Sequence, residues 1–197
     1  MENRIEQIVN FLTVLDGFKT IARRTIVGNT TRHENDAEHT WHMCMFALLL
    51  HREMEHEVNL ERALQLILIH DLVEIYAGDT FAYDTQARIG KKEREELAAK
   101  RLFGQLPPDL TAQFHALWDE FEAGLSAEAQ FANAIDSIQA FAQNVNTKGH
   151  VWKTHRIPAS RVMEKNKSWI QQSKAFSTLY DYLWQKAEQE SSFYREE

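Results

Sequence analysis

The sequence predicts an all-α fold, in which successive segments of one chain form a bundle of helices. The 197 residues include only seven glycines and three prolines, and Leu, Ala, Glu and Gln are plentiful whereas Val is scarce. This balance favours helix over sheet. Apolar residues recur at helical spacing, and no alternating strand pattern persists. The length suits one well-buried domain and is short for two.

The N-terminal elements can be placed from apolar spacing and turn signals. An amphipathic helix opens the chain and stops near Asp16-Gly17; its apolar positions are Ile5, Ile8, Val9, Leu12 and Leu15. Residues 19–35 are polar and contain the turn signal Gly28-Asn29. Asn35 lies three residues before Glu38, a capping-box pattern that predicts a second helix over residues 36–55.

A third helix is predicted from the Asn59 cap through Tyr76, with Gly78 marking its end. It is apolar nearly all round, as expected of a central helix. Residues 79–88 are expected to form a loop. The charged segment KKEREELAAKRLF is then expected to form a helix with a solvated face.

The C-terminal half is predicted to be helical as well. Pro107-Pro108 breaks the chain, and helices follow at about 110–123 and at 127–147, the second capped by Ser126. Residues 149–158 (GHVWKTHRIP) are expected to form a loop, and one or two helices complete the chain after Ser160.

Charge and composition argue against several classes of partner. The formal net charge is −7, so no basic field points to nucleic acid. No apolar run approaches membrane-spanning length, and the opening MENRIEQIVNF is too acidic and amphipathic for a signal peptide. Cys44 is the single cysteine, which excludes a disulfide framework within the chain and suits a reducing compartment. These features predict a cytoplasmic protein that binds neither nucleic acid nor membrane.

The pair His70-Asp71 is the strongest functional signal. It lies in the apolar run LILIHDLVEIYAGD, where buried charges need compensating partners. A bound divalent cation would compensate them, and two further candidate ligands are His39 in ENDAEHTW and Asp136 in NAIDSIQ. In a continuous helix, Glu74 would share a face with His70 and Asp71. Imidazole with carboxylates suits Mn, Fe, Co, Ni or Zn better than Mg or Ca.

Each of these residues alone has an ordinary explanation, because a lone histidine on a helix is usually a hydrogen-bonded core residue. The combination favours a metal site, although His42, one turn after His39, is an alternative ligand. The HExxH, GxGxxG and Walker patterns are all absent from the sequence. His155, beside Trp152, is a further candidate to lie near a substrate.

The ordered set ENDAEHTWH, LILIHDLVEIYAGDTFAYD and NAIDSIQ resembles the HD-domain metal-dependent phosphohydrolases. The resemblance covers about residues 10–170 and is greatest to the small bacterial branch similar to 5'-deoxynucleotidases. It implies one HD domain over residues 1–197, with the metal between central helices and the C-terminal helices packed on the core. It also implies a residue set: metal ligands His39, His70, Asp71 and Asp136, a catalytic acid-base carboxylate Glu74, and a substrate-positioning carboxylate Asp79.

The resemblance also implies an arginine after the first helix that contacts the substrate phosphate. In the segment ARRTIVGN, Arg23 is the better match and Arg24 is the alternative. The related deoxynucleotidases carry a Trp soon after this arginine, where this chain has Thr25, Ile26 and Val27. This departure leaves sugar and base selectivity open and admits a non-nucleotide phosphomonoester. The family tends to dimerise, which implies a homodimer.

The sequence therefore predicts an enzyme that uses one divalent transition metal ion to release phosphate from nucleoside 5'-monophosphates. One alternative is a phosphodiesterase or pyrophosphohydrolase of a signalling nucleotide, which would need more histidine ligands than the spare His42 and His33. Another alternative is a non-catalytic binding module in which the metal only stabilises the fold. Such a module would need neither Glu74 nor Arg23. Glu74 could orient the attacking water or protonate the leaving oxygen.

Overall fold

A computed structural model describes residues 3–28 and 30–195, so Asn29 of the predicted turn lies outside the described residues. The described residues form helices and one short hairpin, which confirms the predicted all-α class. The helices are α1 Arg4–Leu15, α2 Asp36–Leu50, α3 Leu60–Ile69, α4 Glu74–Ala77, α5 Lys91–Phe103, α6 Pro108–Ala123, α7 Ala127–Asn146, α8 His150–Thr154, α9 Ala159–Ile170 and α10 Lys174–Gln189. Short 3₁₀ helices at Asp16–Thr20 and His51–Glu53 follow α1 and α2.

The predicted caps start these helices. The Asn35 side chain accepts a hydrogen bond from the Glu38 amide at 2.9 Å, and the Glu38 carboxylate accepts one from the Asn35 amide at 3.0 Å. Asn59 accepts from the Arg62 amide, and Ser126 accepts from the Ala129 amide. Each bond satisfies an amide that has no partner within its own helix.

Helix α7 is the centre of the bundle. It packs against α2, α3, α6, α9 and α10, and more than half of its residues are buried. The core around it contains fully buried Met43, Leu66, Ile135 and Ile138. Of the predicted site residues, His39 lies on α2, His70 directly follows α3, and Asp136 lies on α7 itself. Because α2 and α3 both pack against α7, the site forms at the centre of the bundle. In the described part of the chain, no helix is long and apolar enough to cross a membrane.

The expectation that no strand forms was wrong for residues 19–35. Strands β1 Ala22–Ile26 and β2 His33–Asn35 form an antiparallel hairpin in which Ala22 pairs with Asn35 and Ile26 with His33. Strands of five and three residues are too short to show an alternating pattern in the sequence. A two-stranded hairpin is marginal alone. This one is fastened to α7, because the Gln143 side-chain amide donates to the Ile26 carbonyl at 2.6 Å.

The predicted third helix is also interrupted. Helix α3 ends at Ile69, and residues 70–73 form turns before α4 begins at Glu74. The backbone here makes short-range bonds, from the Leu72 amide to the Ile69 carbonyl (3.2 Å) and from the Glu74 amide to the Asp71 carbonyl (2.9 Å). Such i to i+3 bonding tightens the turn and brings side chains three residues apart into line. Glu74 is therefore aligned with Asp71, rather than with His70 on a continuous helical face.

The segment 149–158, expected to be a loop, contains the five-residue helix α8. A helix this short shows no periodicity in the sequence. Gly149 begins it with φ of 69°, and a Cβ at this position would collide with the backbone of Ser192. The close approach requires glycine and sets the direction of α8, which buries Val151 and Trp152.

Candidate metal centre

The four predicted ligands converge from three parts of the fold. His39 comes from the first turns of α2, His70 and Asp71 from the turn after α3, and Asp136 from the middle of α7. His39 Nε2 lies 3.0 Å from Asp136 Oδ1 and 3.9 Å from Asp71 Oδ2, and His70 Nε2 lies 3.0 Å from Asp71 Oδ2. One ligand atom from each of His39, His70 and Asp136 falls within a group whose atoms are all within 4.8 Å of one another.

The state of His70 fits a metal ligand. Its Nδ1–H donates to the Ile67 carbonyl at 2.7 Å, which leaves the Nε2 lone pair directed into the site. Among the described residues this buried Nε2 has no hydrogen-bond partner of suitable geometry, although Asp71 Oδ2 is 3.0 Å away. A buried polar atom without a partner is costly, and a cation between the two groups would satisfy both.

His39 is held by a chain of buried polar side chains. Its Nδ1 hydrogen bonds to Gln139 Oε1 at 2.6 Å, so this nitrogen is the donor. The Gln139 amide donates in turn to Glu34 Oε1 at 2.8 Å, and Thr25 Oγ1 donates to Glu34 Oε2 at 2.7 Å. Gln139 and Glu34 are almost completely buried. The chain fixes the tautomer of His39 and directs Nε2 towards Asp136.

Substituting Gln139 with Leu is expected to weaken divalent metal binding by about 10- to 100-fold, the usual cost of losing a hydrogen-bond partner of a ligand. Calorimetric titration of metal-stripped protein with Co²⁺ or Mn²⁺ measures this. Gln130→Leu, on the same helix but at an exposed position, is the matched control. Equal affinity of the Gln139 variant and the control would show that the chain of side chains does not tune the site.

A second group of acidic side chains adjoins the first. Ligand atoms of Asp36, Asp71 and Glu74 lie within 4.8 Å of one another. Arg23 Nη1 donates to Asp36 Oδ1 and to Asp71 Oδ2, both at 3.1 Å, and its guanidinium partly neutralises the group. Asp36 is fully buried. Asp71 of this second group lies 3.0 Å from His70 Nε2 and 3.9 Å from His39 Nε2, so it connects the two groups into one centre.

Burial and mutual repulsion keep a proton in this acidic group. Burial, together with the charges of Asp71 and Asp36, raises the pKa of Glu74 to about 11. Burial and the charge of Asp71 raise the pKa of Asp36 to about 6, opposed by Arg23 and by a hydrogen bond with Glu74. Asp71 behaves oppositely, because His70 and Arg23 outweigh its burial and hold its pKa far below the ordinary range. Glu74 is therefore the carboxyl group most strongly held in its protonated form.

Asp71 and Asp136, the two carboxylates beside the histidines, remain charged. Burial disfavours the charged form of His70, but the Asp71 carboxylate outweighs it and raises the pKa of His70 to about 9. Burial opposes ionisation of Asp136, but the interaction with the neighbouring His39 imidazole holds its pKa down at about 2. A cation entering the site would displace the proton of His70 and take over its interaction with the carboxylates.

The centre opens into a cavity of about 300 Å³. Asp71, Glu74 and Asp136 line its floor. Asp79, which belongs to the loop after α4, lies on its wall. Burial raises the pKa of Asp79, opposed by Arg23. The cationic side chains that line the cavity are Arg23, Arg24, Arg88, Lys91 and Lys165. The cavity of this acidic protein thus has five cationic side chains beside its carboxyl groups, and they can bind a small anionic ligand.

The alternative residues raised by the sequence are not part of the ligand group. Arg24 lines the cavity but is exposed, whereas Arg23 is the arginine that contacts Asp71. His42 Nδ1 lies 3.2 Å from Gln139 Nε2, behind His39 rather than beside the ligand group. His33 is exposed on β2. His155 is exposed and packs on Phe81, with ring centroids 4.8 Å apart.

Three residues of the site were missed by sequence reasoning: Asp36, Glu34 and Gln139. Asp36 is the first residue of α2, directly after the capping residue Asn35, and an acidic residue there has an ordinary explanation in the helix dipole. Glu34 lies in the polar stretch that was expected to lack strands. Gln139 follows Asp136 by three residues on an otherwise apolar helix face, and this spacing was the available signal.

A family model described as an HD domain matches residues 15–177, which is most of the chain. The chain belongs to the HD domain family. This confirms the resemblance inferred from the motifs around His39, His70 and Asp136.

Relatives of this HD domain include the 5'-deoxynucleotidase HDDC2 of Bos taurus, 32% identical over 137 residues, and that of Homo sapiens, 30% identical over the same length. The alignments cover 69% of this chain and 65% and 66% of those proteins. The chain thus spans just under two thirds of the length of these relatives. A crystal structure of a predicted metal-dependent phosphohydrolase from Magnetospirillum magnetotacticum MS-1 is similar over 99% of this chain and 100% of that chain, with 38% identity and a TM-score of 0.90.

Proposed function

We propose that this HD domain protein is a metal-dependent phosphomonoesterase that releases phosphate from nucleoside 5'-monophosphates. The observation that carries the proposal is the joint centre. A histidine-carboxylate group that fits one divalent ion contacts Asp71 of an adjoining acidic group, to which Arg23 is hydrogen bonded, on the floor of one cavity. The similarity to 5'-deoxynucleotidases supports the choice of a nucleotide substrate.

In this proposal His39, His70, Asp71 and Asp136 hold one transition metal ion from the series Mn, Fe, Co, Ni and Zn. When bound, such an ion would supply positive charge to the phosphoryl group and lower the pKa of a coordinated water. Histidine with carboxylate donors and no cysteine suits these metals. We also propose that residues 1–197 form a single domain.

Arg23 binds the phosphate. Both of its hydrogen bonds to carboxylates use Nη1, so Nε and Nη2 remain available on a side chain that lines the cavity. The fork of a guanidinium matches two phosphate oxygens. The bonds to Asp36 and Asp71 fix the side chain, so that little rotamer entropy is lost when substrate binds.

Glu74 acts as the general acid. The oxygen of water bonds to the phosphorus, the bond from phosphorus to the ester oxygen breaks, and the proton of Glu74 passes to that leaving oxygen. The two protons of the water stay with the phosphate product, from which one returns to Glu74. Burial and the neighbouring carboxylates raise the pKa of Glu74, and this direction supports the role of an acid over that of a base. Asp79, on the cavity wall, positions the substrate.

We also propose that the protein acts in the cytoplasm as a homodimer. The apolar side chains of Ile5, Val9 and Leu12 on α1 are all more than half exposed, whereas Phe11 on the same helix is buried. A contiguous exposed apolar face of this kind is typical of an interface. The monomer-dimer equilibrium can be measured by analytical ultracentrifugation.

The decisive experiment combines metal analysis with a phosphate-release panel. The purified protein is stripped, reloaded with Mn²⁺, Co²⁺ or Ni²⁺, and offered nucleoside monophosphates, sugar phosphates and phosphodiesters. We expect orthophosphate from deoxynucleoside 5'-monophosphates. Release from diesters alone would favour the phosphodiesterase alternative, and release from no substrate with any metal would favour a binding module.

Removal of the metal is expected to destabilise the protein. A ligand present at 100 times its Kd adds about 2.7 kcal/mol to the free energy of unfolding. For a domain of this size, that corresponds to a fall in Tm of about 5–10 °C on chelation. Scanning calorimetry before and after chelation, and again after Co²⁺ is restored, measures the shift. An unchanged Tm would argue against an ion at the buried histidines.

A further inference from the structure

Helix α5 carries two lysine-glutamate pairs that have the same spacing but different surroundings. Lys91 Nζ lies 2.9 Å from Glu95 Oε1, and 31% and 6% of these two side chains are exposed. Lys92 Nζ lies 4.0 Å from Glu96 Oε1, and here 82% and 45% of the side chains are exposed. The solvated face predicted for this charged helix thus includes the second pair but excludes Glu95.

The pair of Lys91 and Glu95 is not explained by helix stability. An exposed pair at this spacing contributes little to the free energy of unfolding, and burial adds the cost of removing both charges from water. Glu95 is only 5% exposed, so its carboxylate needs the ammonium of Lys91 beside it. A buried ion pair is weak evidence for stability, and the position of this one points to a role for Lys91 in the adjoining cavity.

Lys91 belongs to the wall of the cavity that contains the metal centre. It is the first residue of α5, and it lines the cavity of about 300 Å³ together with Arg23, Asp71 and Asp79. Burial disfavours the charge of Lys91, but Glu95 outweighs it, with a smaller contribution from Asp71, and raises the pKa of Lys91. The cavity wall therefore carries a lysine that stays charged and interacts with the metal centre.

The ammonium of Lys91 keeps donors for a ligand. It has three N–H bonds and no acceptor. In the described part of the chain, Glu95 is the carboxylate that lies within ion-pair distance of it. Two N–H bonds thus remain for an anionic group in the cavity, while Glu95 limits the motion of a long and flexible side chain.

We propose that Lys91 is a second phosphate-binding residue of this cavity, which pairs with the phosphoryl group of the nucleotide while Glu95 holds its side chain. The inference rests on the proposed function, since it adds a contact to the same substrate. Arg23 offers a planar fork from β1, and Lys91 offers a compact charge from α5. Cations fixed beside a transferring phosphoryl group stabilise the charge that develops on it. Glu95 acts through Lys91 and is a positioning residue.

Binding of orthophosphate tests Lys91 without any turnover. The protein loaded with Co²⁺ is titrated calorimetrically with orthophosphate. We expect Lys91→Met to bind it about tenfold or more weakly, the usual scale for one hydrogen bond to a charged group. Lys92→Met removes the same charge from the exposed neighbouring position and should bind like the unaltered protein. Equal affinities of the two variants, with folding verified by their Tm, would overturn the proposal.

Glu95→Gln tests the positioning role. This variant keeps the shape of the side chain but loses the charge that holds Lys91, so we expect a fall in orthophosphate affinity smaller than that of Lys91→Met. The same substitution made in the Lys91→Met protein should cause no further fall, because the two residues act as a unit. Glu96→Gln, from the exposed pair, is the control. No fall in the first protein, or an equal fall in both, would contradict the role of Glu95.

Hydrolysis of phenyl phosphate separates this proposal from the proposed function. Its hydrolysis by the unaltered protein, together with equal orthophosphate affinities of Lys91→Met and Lys92→Met, would overturn the role of Lys91 and leave the phosphomonoesterase standing. Weaker orthophosphate binding by Lys91→Met, without hydrolysis of any phosphomonoester by the unaltered protein, would support the phosphate contact and overturn the activity.

Discussion

Glu74→Gln is expected to lower kcat for a deoxynucleoside 5'-monophosphate by at least about 100-fold while the metal stays bound. Gln has nearly the same shape as Glu, and the nearby Asp36 and Asp71 keep their positions beside it. It cannot pass an acidic proton to the leaving oxygen. The loss should therefore fall on kcat, with metal content and nucleoside affinity close to those of the unaltered protein.

The leaving group distinguishes an acid from a base. With p-nitrophenyl phosphate, whose leaving oxygen needs little protonation, the effect of Glu74→Gln should shrink well below 100-fold. If Glu74 instead acted as a base that orients water, Glu74→Gln would lower kcat by the same factor with both substrates. Glu61→Gln, an exposed position on α3, is the matched control. Unchanged turnover of the nucleotide would remove Glu74 from the mechanism.

Arg23→Met is expected to lower kcat/KM by about 100-fold or more. Loss of one partner of a buried charge pair costs about 2–5 kcal/mol, and each 1.4 kcal/mol corresponds to a factor of ten. The variant loses the phosphate contact and also removes the positive charge beside Asp36 and Asp71. Arg23→Lys keeps the charge without the fork, so we expect it to recover only part of the loss.

Arg24→Met provides the comparison. Arg24 follows Arg23 on β1 and is exposed, and no carboxylate of the acidic group pairs with it in the described structure. We expect the fall in kcat/KM caused by Arg24→Met to be at least about tenfold smaller than that caused by Arg23→Met. Steady-state kinetics with the same substrate measures both. The reverse order would move the phosphate contact to Arg24.

Much of the fold could be predicted because the helices carry local signals. Caps at Asn35, Asn59 and Ser126 and the break at Pro107-Pro108 depend on neighbouring residues only. The hairpin could not be predicted, because its strands are short and its stability comes from distant side chains such as Gln143. Helix α8 was missed for a similar reason, since a turn requiring Gly149 is set by contact with Ser192.

The candidate site divides in the same way. His39, His70, Asp71 and Asp136 drew attention because each is a polar residue at an apolar or helix-start position, and the structure brings them together. Their role as ligands stays a prediction. The continuous helix through His70 and Glu74 was wrong, since α3 ends at Ile69 and residues 70–73 form turns, whereas the predicted proximity of Asp71 and Glu74 is confirmed. Gln139 and Glu34 act through other side chains, and such support is invisible until the chain is folded.

His39 and Asp136 touch across the bundle although 97 residues separate them along the chain. During synthesis from the N-terminus, the first three ligands therefore emerge long before the fourth. Until α7 has left the ribosome and docked, His39 has neither Asp136 nor Gln139 beside it. The ion that the four residues are proposed to share can then enter its complete shell only after the long-range contacts of the bundle have closed.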